Sequence, residues 1–192
     1  SGDEDKFQIP QGYNILHYYQ SGGEDTTCLT FENLKYYGSS FDYWTALVAE
    51  TFHIENIAAN RHIANAFMGW LCVLFVGLIA YRQKGWGAGV LAMLLMFLSP
   101  RFLGHSFNNP KDIPLAAGTV MAIYYILMFF RQASDPQRKM PKISTMLMLV
   151  LSLVIAISTR IGGLIIVGFF GLWGILWIVA ERKSLDLSKL LK

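Results

Sequence analysis

After Arg61 the sequence holds five runs without a single Asp, Glu, Lys or Arg: residues 63–81, 85–100, 113–130, 143–159 and 161–180. A helix rises about 1.5 Å per residue, so roughly 17–25 apolar residues cross the hydrocarbon core of a bilayer. The first, third and fifth runs have that length, and the second and fourth reach it once their ends extend into the interface. A buried helix in a large soluble core is the alternative for any one run. Five in close succession, with no charge inside any of them, argue for membrane spans. The expected fold is all-α, a polytopic membrane helical bundle of about five spanning helices. The spans cover 61–82, 85–100, 113–131, 143–159 and 161–180, with a loop region over 1–60 before them and a connector over 181–192 after them.

Composition excludes other classes. Only 15% of the 192 residues are charged and 54% are hydrophobic, which rules out a disordered chain, a coiled coil and a disulfide scaffold. The two cysteines, Cys28 and Cys72, are too few for a framework, and Cys72 lies in an apolar run where it reads as a small hydrophobe. No Gly-rich phosphate loop follows a strand, and no Cys or His pair has zinc spacing. The basic residues flank the spans and do not form a nucleic-acid patch.

Orientation follows from where those basic residues fall. One set of alternate loops holds ten of them: Arg82, Lys84, Arg131, Arg138, Lys139, Lys142, Arg182, Lys183, Lys189 and Lys192. The other set holds six: Lys6, Lys35, Arg61, Arg101, Lys111 and Arg160. Asp135, Glu181 and Asp186 fall in the first set and the other ten acids in the second. The N-terminal region is therefore expected in the periplasm or lumen, and the tail in the cytoplasm. A translocated N-terminal region with no hydrophobic segment before it predicts a helix further upstream, which makes this chain a fragment.

The first sixty residues carry two amphipathic patterns. Tyr13, Ile15, Leu16 and Tyr19 have helical spacing and end at Gly22-Gly23; Phe41, Trp44, Leu47, Val48 and Phe52 form a second stripe. Tyr and Trp on such stripes suit the headgroup region, so two short interfacial helices are expected on the outer surface. The alternative is a small soluble cap packed on itself.

The charges on this outer side are candidates for chemistry. Asp3, Glu4 and Asp5 open the chain; Arg61 and His62 stand just before the first span; Arg101, His105, Lys111 and Asp112 occupy the loop between the second and third spans. Arg160 separates the last two runs. An Arg at bilayer centre costs about 2.5–3.5 kcal/mol on insertion scales, so Arg160 marks a tight outer hairpin. Plainer readings exist for each: Asp112 as an N-cap with Pro114 in the first turn, Arg61 and Arg160 as snorkelling anchors, His62 and His105 as hydrogen-bonding spacers, the acidic opening as a solvated terminus. Together they converge on one membrane face. Guanidinium forks bind phosphate oxygens, and carboxylates hold a divalent metal or take a proton from a hydroxyl. The combination suits an anionic lipid headgroup.

The segments GDEDKFQIPQGYNILHYY, LKYYGSSFDYWTALV, RHIANAFMGW, SPRFLGHSFNNPKDIP and STRIGGL occur in this order. The ordered set resembles the first third of the GT-C membrane glycosyltransferases, specifically glycosyltransferase family 39 and its bacterial relatives, which include protein O-mannosyltransferases and lipid A aminoarabinose transferases. The resemblance covers nearly the whole chain and departs from the family in lacking its opening helix and its later spans. It implies transfer of a sugar from a polyprenyl-phosphate donor to a hydroxyl acceptor on protein, lipid or glycan, at the outer face, with inversion. By position Asp3 and Glu4 match the family's acidic pair, with Asp3 as general base and Glu4 shaping the site. Asp112 matches an acidic residue that orients the acceptor or binds metal. Arg160 and Arg61 would neutralise the donor phosphate, with Arg101 and Lys111 in reserve. The resemblance leaves room for a divalent metal, Mg or Mn, at Asp3, Asp112 and His105. Its implied setting is a bacterial inner membrane, with the two outer helices lining a lateral entrance and further helices of the parent protein completing the site. A transporter or flippase of lipid-linked substrates, and a non-catalytic membrane scaffold, are the competing functions.

Overall fold

The computed structural model describes residues 4–32, 38–135, 137 and 140–190, with side chains described within 6–180. Among the described residues every regular element is helical. A π-turn at Glu4–Gln8 leads into α1 (Ile9–Gln20), followed by α2 (Thr27–Thr30), α3 (Ser40–Thr51), α4 (Ile57–Lys84), α5 (Trp86–Phe97) and α6 (Pro100–Asn108). Then come α7 (Asp112–Ala133), α8 (Ile143–Thr159), a 3-10 turn at Ile161–Gly163 and α9 (Leu164–Leu190). The all-α membrane bundle expected from the charge-free runs is what forms, and it makes the chain an integral membrane protein.

Three helices are long and apolar enough to cross a bilayer alone: α4, α7 and the stretch Ile161–Ala180. The other two runs, the shorter ones in the sequence, do not reach that length as single helices. The run 143–159 forms a helix of 17 residues, about 26 Å at the usual rise and short of a full core of about 30 Å. The run 85–100 is broken. α5 ends at Phe97, and α6 leaves at 67° to it. Pro100 has no N–H to continue a helix, yet in the first turn that lack is harmless. Ser99 supplies the cap, its Oγ accepting the Phe102 N–H at 3.5 Å. Ser99-Pro100 is thus a helix start, and the expected outer loop carrying Arg101 and His105 is instead mostly α6.

A second boundary also moved. The first span does not begin after Arg61 and His62; α4 starts four residues earlier, where Asn56 accepts the Ala59 N–H at 3.0 Å as an N-cap. Arg61 and His62 are therefore helical. At its other end α4 turns into α5 through a single residue, Gly85, at φ +79°. That left-handed backbone favours glycine, and the one-residue link forces α5 back along α4.

The bundle is ordered α5, α4, α7, α8 by its packing. Its core is small and tightly drawn. Ala122, Ile126, Phe130, Leu149, Ala156 and Ile166 form one buried cluster. At the α7–α8 crossing a Cβ on Gly118 would come within 2.7 Å of the Ala156 amide nitrogen. Small residues let helix backbones approach in lipid, where dispersion rather than water expulsion favours association. α9 differs. Only 11% of its apolar window is buried, so its remaining surface faces lipid or further helices.

The two short outer helices also form. α1 carries Pro10 in its first turn and ends at Ser21, with Gly22 and Gly23 at φ +68° and +95°. It packs on α3 with Leu16 and Gln11 buried, so the pair does form a cap packed on itself. The aromatic stripe of α3 nevertheless remains outside it: Trp44, Val48 and Phe52 are exposed, and so is Tyr19 of α1. Those side chains suit the headgroup region.

The Gly118 contact gives a direct test. Gly118→Val should destabilise the detergent-solubilised protein by about 1–3 kcal/mol, the usual cost of overpacking. Gly168→Val, on an α9 face with nothing within 4 Å of an added Cβ, should leave the melting temperature unchanged.

Candidate functional site

One end of the bundle gathers the N-terminus of α7, the C-terminus of α8, α6, the first turns of α4 and the outer helices. Its most exposed charged pair joins two of these. An Arg160 Nη donates to Asp112 Oδ1, across 48 residues of sequence, with side chains 41% and 55% exposed. Exposed ion pairs contribute little stability, typically under about 1 kcal/mol. The pair is better placed to meet a ligand than to hold the fold.

Local structure explains how both groups arrive there. Arg160 is an extended residue, φ −152° and ψ +142°, between the last residue of α8 and the 3-10 turn. Gly163 lies so close to the Ala156 backbone that an added Cβ would be 2.5 Å from its carbonyl carbon. This is the tight hairpin expected around Arg160. Asp112 is the first residue of α7, a position where the helix dipole favours a carboxylate. It is not the cap. Asn109 takes that part, its Oδ1 accepting the Asp112 N–H at 3.0 Å while its Nδ2 donates to Asp112 Oδ2 at 2.8 Å. With the backbone N–H satisfied by Asn109, the Asp112 carboxylate is left to engage Arg160.

The same Asn109 amide nitrogen lies 3.2 Å from His105 Nδ1. Because Oδ1 is fixed by the Asp112 N–H, this nitrogen donates, and His105 Nδ1 accepts. The imidazole and the carboxylate are thus bridged by a donor amide, which leaves no common face for a cation. Among the described residues no group of three His, Cys, Asp or Glu converges on a metal position. Asp112 and His105 alone do not make up a divalent-metal site. Asp3, the third expected ligand and the expected base, lies outside the described residues, and so does the side chain of Glu4.

Arg61 departs most from its sequence reading as a phosphate ligand or interfacial anchor. It is 1% exposed. Its guanidinium donates to Asp42 Oδ1 at 2.7 Å, Thr45 Oγ1 at 3.0 Å and Gln8 Oε1 at 3.1 Å, and lies 5.6 Å from the Phe41 ring centre. These contacts tie the π-turn and α3 to α4. Burial and partners give it a structural role. One residue on, His62 Nδ1 lies 2.6 Å from the Phe107 carbonyl oxygen. Since a carbonyl only accepts, Nδ1 carries the proton. One turn further, Asn65 Nδ2 donates to the carbonyls of Ser106 and His105 at 2.9 and 3.1 Å. α6 is thereby laid against α4.

These contacts run in sequence from Gln8 through Arg61, His62, α6 and Asn109 to Asp112 and Arg160. They bring the N-terminal segment to the same end of the bundle as the exposed pair. Arg101 stands exposed in the first turn of α6, joined to the pair by no hydrogen bond or ion pair, and Lys111 is half-buried beside Asp112. Two residues central to this geometry, Asp42 and Asn109, escaped the sequence reading. Asn109 had a signal, an Asn three residues before the first helical acid. Asp42 had none, lying inside an aromatic stripe.

A groove of about 260 Å³ opens beside this end, between α3, α4 and α8. Phe41, Trp44, Val48, Met68, Leu151 and Val154 give it apolar walls. Ser40, Thr45, Asn60, Ser158 and Thr159 also line it, Thr159 being next in sequence to Arg160, and Ser158 Oγ donates to Ser40 Oγ at 2.9 Å.

Comparison with known proteins follows this geometry. The model of one family, the dolichyl-phosphate-mannose-protein mannosyltransferases, matches residues 32–192. No curated protein and no solved structure matches the chain. The matched segment contains Arg61, Arg101, His105, Lys111, Asp112 and Arg160, and begins after Asp3 and Glu4.

The Arg61 assignment has a thermodynamic signature. Asp42→Ala removes a carboxylate that engages a buried guanidinium and should cost about 3–5 kcal/mol in thermal or denaturant unfolding. Adding Arg61→Met to it should recover part of that loss. An Asp42→Ala protein as stable as the parent would refute the structural role.

Proposed function

The chain belongs to the dolichyl-phosphate-mannose-protein mannosyltransferase family, and from that membership we propose that Asp112 and Arg160 mark the acceptor and leaving-group side of a polyprenyl-phosphate-sugar-dependent glycosyltransferase site. Membership makes this a glycosyltransferase in the general sense. The finer reading concerns which residues act, on which face and by what route. The observation that carries it is the exposed Asp112–Arg160 pair, whose members stand two residues from Pro114 and next in sequence to Thr159 in the wall of an apolar groove.

The proposed reaction is a single displacement. A carboxylate takes the proton from the acceptor hydroxyl, whose oxygen attacks the anomeric carbon. The bond from that carbon to the donor phosphate oxygen breaks, and the polyprenyl phosphate departs with the electron pair. One displacement inverts the anomeric centre. Asp3 is the proposed base, with Glu4 shaping its surroundings. The path of contacts from Gln8 to Asp112 supports placing that segment at this end of the bundle.

Arg160 suits the leaving group. A guanidinium has five N–H donors, and Asp112 engages it through one Nη atom while 41% of the side chain stays exposed. The remaining donors can meet phosphate oxygens as charge builds on them, which favours departure. Asp112 holds that guanidinium in place and offers an acceptor for a sugar or acceptor hydroxyl. The groove walled by Trp44, Val48 and Leu151 gives the isoprenoid chain an apolar path to the pair. Lys111 and Arg101 add positive potential nearby. Arg61, buried and paired, is left out of phosphate binding. The distribution of basic residues supports an end facing the periplasm or lumen, and the resemblance to bacterial relatives supports a bacterial inner membrane.

The test is transfer of labelled sugar from a polyprenyl-phosphate donor by the full-length protein in detergent, with donor binding measured in parallel. Asp3→Asn should retain donor binding and lose roughly 10²–10⁴-fold in transfer, the range of a positioned general base. Arg160→Gln should weaken donor binding as well as transfer. Transfer unaffected by either substitution would refute the assignment. Donor binding without transfer by the unsubstituted protein would favour a transporter of lipid-linked substrates.

A further inference from the structure

We propose that the opposite end of the bundle carries a binding site for the phosphate group of an anionic membrane lipid, held between Arg82 of α4 and Arg131 of α7. The inference stands apart from the glycosyl-transfer reading and uses none of its residues. α4 and α7 begin at the end that bears Asp112 and pack side by side, so their last turns arrive together at the far end. Between those turns lies a cavity of about 310 Å³.

Its lining has the chemistry of an anion site. Arg82 and Arg131 enter from different helices, and Gln83 and Tyr124 add polar groups beside them. Among the described residues no acid lines the cavity. Neither guanidinium has a hydrogen-bond or ion-pair partner among the described residues, while Asp135, the acid nearest in sequence, accepts the Gln137 N–H at 3.0 Å. Cations at helix C-termini also interact with the helix dipole. That interaction needs no cavity, and it does not require two guanidinium groups from separate helices to share one. Paired guanidinium forks match the oxygens of a phosphodiester.

The remaining walls favour a lipid over a free ion. Ile79 and Leu127 extend the cavity along the helices toward the hydrocarbon region, where an acyl chain continues from its headgroup. Basic pockets between spanning helices are the usual setting for anionic headgroups. A bound headgroup would brace the α4–α7 contact from the end away from the exposed pair.

The test uses the full-length protein in a mild detergent. Melting temperature and lipid retention by native mass spectrometry are compared after adding phosphatidylglycerol, phosphatidylcholine or inorganic phosphate. Phosphatidylglycerol should stabilise and be retained in preference to phosphatidylcholine. The Arg82→Gln/Arg131→Gln protein should bind it roughly thirtyfold more weakly, the scale expected on removing two cations at a membrane surface. Arg82→Lys/Arg131→Lys, which keeps the charge and loses the forks, should fall between and covers the case in which the glutamine protein does not fold. Equal retention of phosphatidylglycerol by parent and glutamine variant would overturn the site. Full stabilisation by inorganic phosphate, with no further gain from the lipid, would overturn the lipid as its ligand.

Discussion

The buried Arg61–Asp42 pair is the interaction on which the rest of this end of the molecule depends. Arg61 lies on the second turn of α4, a helix otherwise fit to cross a membrane, and its charge is tolerated because α3 brings a carboxylate to 2.7 Å. A lone guanidinium at that depth would be pushed toward water, taking the helix with it. With Asp42, Thr45 and Gln8 around it, the charge becomes a clasp instead. It fixes α3 over the end of α4 and so forms one wall of the apolar groove. From the same helix His62 and Asn65 hold α6, and α6 delivers Asn109 to the start of α7. Successive turns of one helix thus position the outer cap, the broken span and the candidate site.

The two Arg–Asp pairs in this structure show how environment divides similar chemistry into different roles. Arg61–Asp42 is enclosed, with side chains 1% and 6% exposed, and its partners hold two layers together. Arg160–Asp112 is half in solvent, joins the ends of two helices and leaves most guanidinium donors unengaged. In the proposed transfer that exposed pair stands where a phosphate is neutralised as it leaves. A transfer site that draws both donor and acceptor from the membrane boundary needs an apolar approach and a charged end. The α3–α8 groove offers the first, and Arg160, next in sequence to its wall residue Thr159, offers the second.

Much of this was legible in the sequence. Absence of charge is a strong signal in lipid, so the spanning segments and the α8–α9 hairpin at Arg160 could be read from composition alone. The failures differ in cause: the role of Arg61 depends on a partner far away in sequence, whereas the helix starts at Pro100 and Asp112 turn on caps close by. Arg61 looked like an anchor before its span, because nothing in the aromatic stripe around Asp42 announced that a carboxylate would turn inward. Ser99-Pro100 looked like the end of a span because the apolar run stops there, although the same dipeptide starts a helix. Asp112 looked like its own cap until Asn109 was seen to serve it. The site itself was only half legible. The pairing of Asp112 with Arg160 rests on contact across 48 residues, whereas the convergence of charges on one face followed from alternating spans. The acidic opening at Asp3 and Glu4 was read from resemblance, and its side chains lie outside the described residues.

The stereochemistry of transfer distinguishes the proposed reaction from its alternatives: one displacement at the anomeric carbon, with a carboxylate base on one side and an Arg160-bound phosphate leaving on the other. Nuclear magnetic resonance of the product formed by the full-length protein from a β-linked polyprenyl-phosphate mannose would read the new linkage. An α-linked product is the predicted result. A β-linked product would require a second displacement or a different chemistry, and would contradict the roles assigned to Asp3 and Arg160.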